Sequence, residues 1–250
     1  TKLTMKLHPV DQVFGGMVIN VAPSVKLAKT VITEWRNWIL DAPRSVNSMA
    51  VLPCGAPVVP MALVELGQIS VPQAPEAKCA ISTLPNLKGA LDGPLTRLTG
   101  AIGQSFGAPL SIKPLKKMQY HSELQPQLEA HQAAGHYYDA SCLVPELSGE
   151  VIDTLIDFTR SRNVNNEASI IIFPCGGAIS DAPTDSTSYW GGGRKAKQFW
   201  IIIEGKWTPD TESATDAKRD AVVGWVKDLR SALAAFDVSD TAHTLDGNME

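Results

Sequence analysis

Clusters of charge are missing from this 250-residue sequence, which carries 22 basic and 26 acidic residues and a net charge of -4. Its basic residues form no run longer than the pairs Lys116-Lys117 and Arg194-Lys195. A nucleic-acid-binding surface needs clustered Lys and Arg, so the sequence excludes that class of partner.

Metal and disulfide signatures are also missing. The four cysteines lie far apart, without a C-x-x-C pair, and the five histidines form no H-E-x-x-H motif. We therefore expect no metal site, and we expect the thiols to be reduced and packed.

The sequence has no long uninterrupted apolar run and no N-x-[ST] acceptor. Its longest charge-free stretch, residues 45–64, is broken by Pro53, Gly55, Pro57 and Pro60. It also lacks a basic segment followed by an apolar one, so we expect no membrane partner and a cytoplasmic location. Because the chain opens at Thr1, we expect that it was cut from a longer protein or processed.

The sequence does have an apolar content of 44%, which is ample for a core at this length. Its apolar residues recur with the spacing of strands and helices in alternation. Strands are predicted at 13–21, 47–52, 61–71, 135–143, 169–177 and 198–207, and helices at 24–41, 76–87, 116–134, 146–162 and 213–236. The order predicts an α+β fold with a large, mostly antiparallel sheet and helices on one face. We expect one domain over 1–236, built of two ferredoxin-like halves (about 7–110 and 111–236) joined by an irregular crossing at 89–114, then a fraying polar tail at 237–250.

Two helices carry clear apolar stripes. Ser148 is placed to cap the helix at 146–162. The predicted buried residues are Leu147, Val151, Ile152, Leu155, Ile156 and Thr159 in that helix, and Ala217, Ala221, Val222, Trp225, Leu229 and Leu233 in the last one.

Alternation in the strand at 198–207 separates two faces, because successive side chains point to opposite sides of a sheet. One row is apolar and suits a helix layer: Phe199, Ile201, Ile203, Gly205 and Trp207. The other mixes aromatic and charged groups: Gln198, Trp200, Ile202, Glu204 and Lys206. Tyr137 and Tyr138 similarly place one ring on each face of their strand. The mixed face suits a ligand or a second domain, or is an amphipathic surface with incidental aromatics.

One catalytic string is present, since Gly103, Ser105 and Gly107 form G-x-S-x-G. A serine hydrolase needs a strand before this serine and a helix after it, whereas Ala108-Pro109 follows here. Its only late histidine, His243, falls in the predicted tail, so a glycine-rich loop is the favoured interpretation and the hydrolase a minor alternative.

Several strings together resemble the berberine bridge enzyme-like group of FAD-linked oxidases. They are LHPVDQVFGGM at 7–17, YYDAS at 137–141 with ELS at 146–148, FPCGGAI at 173–179, Arg194, EGKWTP at 204–209 and Trp225. The match extends from about Leu7 to Phe236 and corresponds to the substrate domain of that group.

The resemblance implies that the open face of the sheet covers a flavin. Trp200, Glu204 and one of Tyr137 or Tyr138 would then line a substrate pocket, and Glu204, with a raised pKa, would be a base. It implies FAD and a small-molecule substrate for the complete enzyme, with a flavin-binding domain or subunit as partner. That domain, with the histidine that commonly carries FAD, would precede Thr1, so we expect this chain alone to bind no FAD and to be inactive.

Departures from the group are also visible. Its Tyr-x-Asn stretch is absent from 237–250, Arg194 follows three glycines where histidine is usual, and Asp139 stands where lysine is frequent. A different function stays open: a free-standing ferredoxin-like module that forms a homodimer through its open sheet face.

Overall fold

The described part of the chain contains eight strands and four helices. The computed structural model describes residues 12–21, 24–41, 47–54, 61–71, 112–119, 122, 136–160, 168–176, 178–181, 197–207, 212–238 and 244–245. The strands are β1 (Gln12–Val21), β2 (Asn47–Pro53), β3 (Met61–Val71), β4 (Ile112–Gln119), β5 (His136–Val144), β6 (Ser169–Pro174), β7 (Phe199–Trp207) and β8 (Thr244–Leu245). The helices are α1 (Val25–Asp41), α2 (Gly149–Thr159), α3 (Ala178–Asp181) and α4 (Glu212–Ala232).

The eight strands form one sheet in the order β4-β1-β3-β2-β6-β7-β5-β8, and every neighbouring pair is antiparallel. Its first four and last four strands repeat one arrangement, in which the fourth, first, third and second strands of each set lie side by side. The two sets meet where β2 pairs with β6, with Val51 opposite Ile171. The predicted α+β class and antiparallel sheet are confirmed.

Helices α1, α2 and α4 pack against one face of this sheet. α1 contacts β2 and β3, α2 contacts β6, and α4 contacts β5 and β7, while α2 also touches both other helices. Ser148 accepts a hydrogen bond from the Val151 N–H at 3.3 Å, as its predicted capping role requires. Every stripe residue predicted for this helix is buried, because all of them face the sheet or the neighbouring helices.

Side chains of α1 join the two strand sets. Trp35 is 1% exposed and its ring lies 6.1 Å from that of Phe199 on β7. Arg36 donates to the Leu147 carbonyl oxygen at 2.7 Å, and Lys29 forms an ion pair with Asp153 on α2. The core therefore crosses the β2–β6 boundary without a break.

Three predictions are wrong. Residues 116–119 lie in β4, not in a helix, because pairing with β1 overrides the helical propensity of Lys and Met. Ala217 and Ala221 are exposed, since the buried stripe of α4 consists of Val222, Trp225, Val226 and Leu229, followed by Leu233 just beyond the end of the helix.

The third concerns the tail, which does not fray at its start: Val238 donates to the Leu143 carbonyl oxygen at 2.8 Å, and β8 pairs with β5. The predicted helix at 76–87 lies outside the described residues.

Candidate functional site

The face of the sheet opposite α2 and α4 carries the candidate site. Residues directly opposite each other in antiparallel strands share a face, so the pairing of β5, β6 and β7 identifies this surface. We call it the open face; its described side chains are Tyr137, Asp139, Ser141 and the buried Leu143 on β5, Ser169, Ile171 and Phe173 on β6, and Trp200, Ile202, Glu204 and Lys206 on β7. The burial of β7 alternates as its sequence predicts, with every helix-side residue buried.

One end of the open face is aromatic. Trp200 pairs with Phe173, and their ring centroids lie 5.9 Å apart at an interplanar angle of 34°. Trp200 is 40% exposed, although indole usually finds apolar cover in a folded protein. Ile171 and Ile202 extend this surface along the sheet, so a planar apolar group would find a matching area here.

The other end is acidic. Glu204 lies opposite both Ser169 on β6 and Asp139 on β5, and the Ser169 hydroxyl donates to its Oε2 atom at 2.8 Å. The pKa of Asp139 is raised to about 6, first by burial and then by the negative charge of Glu204, against a hydrogen bond from the Gly205 backbone that lowers it. One carboxyl oxygen of Asp139, Oδ1, is buried without a protein partner. The two carboxyl groups therefore lie side by side on the open face, and the pKa of Asp139 is shifted toward neutral pH.

The two predicted tyrosines lie on opposite sides of the sheet. Tyr137 shares the open face with Lys206, whose Nζ lies 5.5 Å from the centre of its ring. Tyr138 pairs with Gly205 on the helix side, packs against the core and lies 5.7 Å from Lys227 Nζ of α4. Tyr138 is therefore not at the open face, because one step along a strand reverses the side chain.

Among the predicted site residues, the structure brings Tyr137, Trp200 and Glu204 to the open face and separates Tyr138 from them. The sequence marks Asp139 only as a departure from lysine. In the structure, burial raises the pKa of its carboxyl group. The alternation along β5 could have indicated this, because it places Asp139 on the same face as Tyr137 and Ser141. What the sequence could not supply was the register that puts it opposite Glu204.

Other sequence candidates fall outside the described residues. They are the string at 103–107, His243, the glycines at 191–193 and Arg194. Among the helices in the described ranges, none combines the length and the apolar content that crossing a bilayer requires.

Similar folds occur among solved oxidase structures. Berberine bridge enzyme-like protein 28 from Arabidopsis thaliana superposes with a TM-score of 0.64 at 14% identity, over 92% of this chain and 44% of that chain. Berberine bridge enzyme from Eschscholzia californica gives 0.65 at 13% identity, over 93% and 43%. This chain has a berberine bridge enzyme-like oxidase fold. The resemblance found in the sequence is thus confirmed, while no protein-family model and no curated protein sequence matches.

A glucooligosaccharide oxidase from Acremonium strictum, whose structure is described as revealing a novel flavinylation, shares the berberine bridge enzyme-like fold with a TM-score of 0.55 at 15% identity. The match extends over 85% of this chain and 43% of that chain. This chain spans less than half the length of the oxidases it matches.

Proposed function

We propose that this chain is the substrate-binding, flavin-covering part of an FAD-dependent oxidoreductase, built of two ferredoxin-like halves. The observation that carries the proposal is the open face itself, where an exposed aromatic surface adjoins a carboxyl pair. The shared fold with oxidases about twice as long supports the presence of a flavin-binding partner.

The residues of the open face fit such a partner chemically. Trp200 and Phe173 offer apolar area to a planar ring system or a substrate. When bound, the flavin would accept the hydride that leaves the substrate carbon. The Asp139–Glu204 pair would accept the proton from the substrate oxygen or nitrogen, and Tyr137 with Lys206 would border the substrate.

Within this pair, Ser169 gives the two carboxyl groups different surroundings. Its hydroxyl donates to Glu204 Oε2 at 2.8 Å and so fixes the orientation of that carboxyl group. Asp139 lacks that hydroxyl and carries a buried oxygen without a protein partner. We therefore assign the proton-acceptor role to Glu204, whose carboxyl group this hydrogen bond orients, and the onward exchange of the proton to Asp139.

Substitution in the complete enzyme tests these roles. We expect Glu204→Gln to lower kcat at least 100-fold, the size typical of losing a general base, with flavin content unchanged. Glu150→Gln makes the same chemical change at an exposed position on α2 and should leave kcat unchanged. Equal turnover for both variants would refute the role of Glu204.

The partner itself has two direct tests. An in-frame flavin-binding region upstream of Thr1 in the transcript, or such a protein encoded beside it, is the expected finding. The isolated chain, purified with added FAD, should show no yellow flavin absorbance. Stoichiometric flavin retention by this chain would contradict the proposed division of labour.

The exposed Trp200 also favours a second candidate, a homodimer that joins two open faces. Sedimentation of the isolated chain separates the two functions. A monomer supports the flavin-covering role, whereas a dimer that Trp200→Lys dissociates supports the binding module.

A further inference from the structure

The segment that follows α4 is fastened to the outer edge of β5 by a buried ion pair. Arg230 on α4 contacts the Oδ2 atom of Asp237, and their side chains are 17% and 5% exposed. The Oδ1 atom of Asp237 accepts the Leu143 N–H at 2.9 Å, while Val238 donates to the Leu143 carbonyl oxygen. Both backbone polar groups of Leu143 are therefore satisfied from this one segment. We call Arg230, Asp237 and these two bonds the clasp.

Burial distinguishes the clasp from the other ion pairs of α4. Arg219 also contacts an aspartate, Asp220, but those side chains are 47% and 70% exposed. An exposed pair contributes little to stability, whereas removing one partner of a buried pair leaves a charge without compensation. Among the described ion pairs of α4, only the pair of Arg230 and Asp237 is mostly buried, and it joins the helix to the segment that follows it.

The register extends the effect of the clasp along β5. Backbone N–H and C=O groups of alternate residues point to the same side of a strand, and Leu143 points away from β7. Four residues earlier, Asp139 points the same way, and its partner on that side is Leu245 of β8. The backbone of Asp139 therefore faces β8, the strand that follows the clasp along the chain.

The same alternation places Asp139 and Glu204 in a non-hydrogen-bonded pair, the type in which facing side chains come closest. Without β8, Asp139 would lie on an edge strand with water on its outer side. The Oδ1 atom of Asp139 is buried without a hydrogen-bond partner among the described residues, so this oxygen is screened from water although the side chain as a whole is half-buried.

We propose that Arg230 and Asp237 are positioning residues, which hold β8 on the edge of β5 and thereby keep Asp139 out of water beside Glu204. The carboxyl pair belongs to the proposed site, but the clasp acts on it without flavin or substrate. The inference therefore stands or falls separately from the proposed function.

The test compares two double variants of the full 250-residue chain. R230M/D237A removes the clasp without leaving either charge behind, and R219M/D220A makes the same changes in the exposed pair. The Leu143 amide exchange rate is measured by NMR. The Asp139 carboxyl carbon is titrated and assigned with Asp139→Asn. Charged or polar groups that face this carboxyl are Glu204 and the Gly205 N–H on β7, with Ser169 beyond Glu204 on β6.

For R230M/D237A we expect Leu143 exchange to rise at least tenfold and the pKa of Asp139 to fall from about 6 by one unit or more. R219M/D220A should change neither, and the Ile203 amide should stay protected in both variants. Arg230→Lys keeps the ion pair and should keep both wild-type values. Faster Leu143 exchange with an unchanged pKa of Asp139 would overturn the proposal, because the clasp would then be structural only.

If R230M/D237A does not fold, Asp237→Asn replaces it. This variant loses the charge but keeps an oxygen for the Leu143 N–H. The pKa of Asp139 should still fall relative to wild type, and an unchanged value overturns the proposal.

Discussion

Gly205 on β7 offers the sharpest test of how the helix layer meets the sheet. A Cβ atom at this position would lie 2.5 Å from Val222 Cγ1, 2.9 Å from Val226 Cγ2 and 3.0 Å from the Tyr138 carbonyl oxygen. The first two atoms belong to α4 and the third to the backbone of β5. Gly205→Ala therefore forces α4 away from the sheet or distorts the pairing of β5 with β7.

The magnitude follows from two opposing effects. Overpacking of a close-packed core costs about 1–3 kcal/mol, and replacing glycine within a strand returns about 0.5–1 kcal/mol of backbone entropy. We expect Gly205→Ala to lower the free energy of unfolding by about 1–2 kcal/mol.

Gly224 on α4 provides the matched control, because a Cβ there meets nothing within 4 Å. In a helix, alanine is preferred to glycine by about 1 kcal/mol, so Gly224→Ala should raise the free energy of unfolding by up to that amount. The same chemical change thus has opposite signs at a crowded position of β7 and an open position of α4.

Urea denaturation with linear extrapolation measures both variants. The expected difference of about 1–3 kcal/mol corresponds to about 2–12 °C in Tm for a chain of this size. If Gly205→Ala were as stable as Gly224→Ala, the close approach of α4 to β7 would be refuted.

Two further predictions concern the open face. Burial gives Asp139 a pKa of about 6 in the folded chain against an ordinary 3.8, so its contribution to stability is complete below pH 3.8 and is lost as the pH rises to about 6. After allowance for solvent screening the loss is about 1–2 kcal/mol; Asp139→Asn should abolish it, and parallel urea stability curves for both proteins from pH 4 to 7 would contradict this. Trp35→Ala should cost about 3–5 kcal/mol because that ring is buried. Trp200→Ala should lower the free energy of unfolding by about 1 kcal/mol or less, because it removes one aromatic contact. Equal losses of stability for both variants would mean that Trp200 is buried like Trp35 and that the open face is covered.

Local periodicity predicted most elements within a few residues. The period-2 row of β7 and the stripe of α2 are strong patterns, because a buried face must be apolar at a fixed spacing. β4 escaped prediction because Lys116, Lys117 and Met118 have helical propensity, and only pairing with β1 reveals the strand. β8 escaped because a two-residue strand has no period.

The site could be predicted only as far as one strand determines it. Alternation within β7 places Trp200 and Glu204 together on one face without knowledge of any other strand. Tyr137 and Tyr138 are chemically alike, so the sequence of β5 alone cannot say which of them belongs to that face. The answer depends on the register with β7, a set of contacts between residues more than 50 positions apart.

Asp139 shows why such non-local register matters for chemistry. An isolated aspartate on an exposed strand would titrate near its ordinary pKa. Here one neighbouring strand supplies a second carboxylate and the other pairs with the outer edge of β5, and burial and charge repulsion both raise the pKa of Asp139. Neither neighbour is adjacent in sequence. Helix α2 and strand β6 separate Asp139 from the strand of Glu204, and α4 separates that strand from Leu245. A carboxyl group with a raised pKa can therefore arise from an ordinary surface residue once three separate strands are brought side by side.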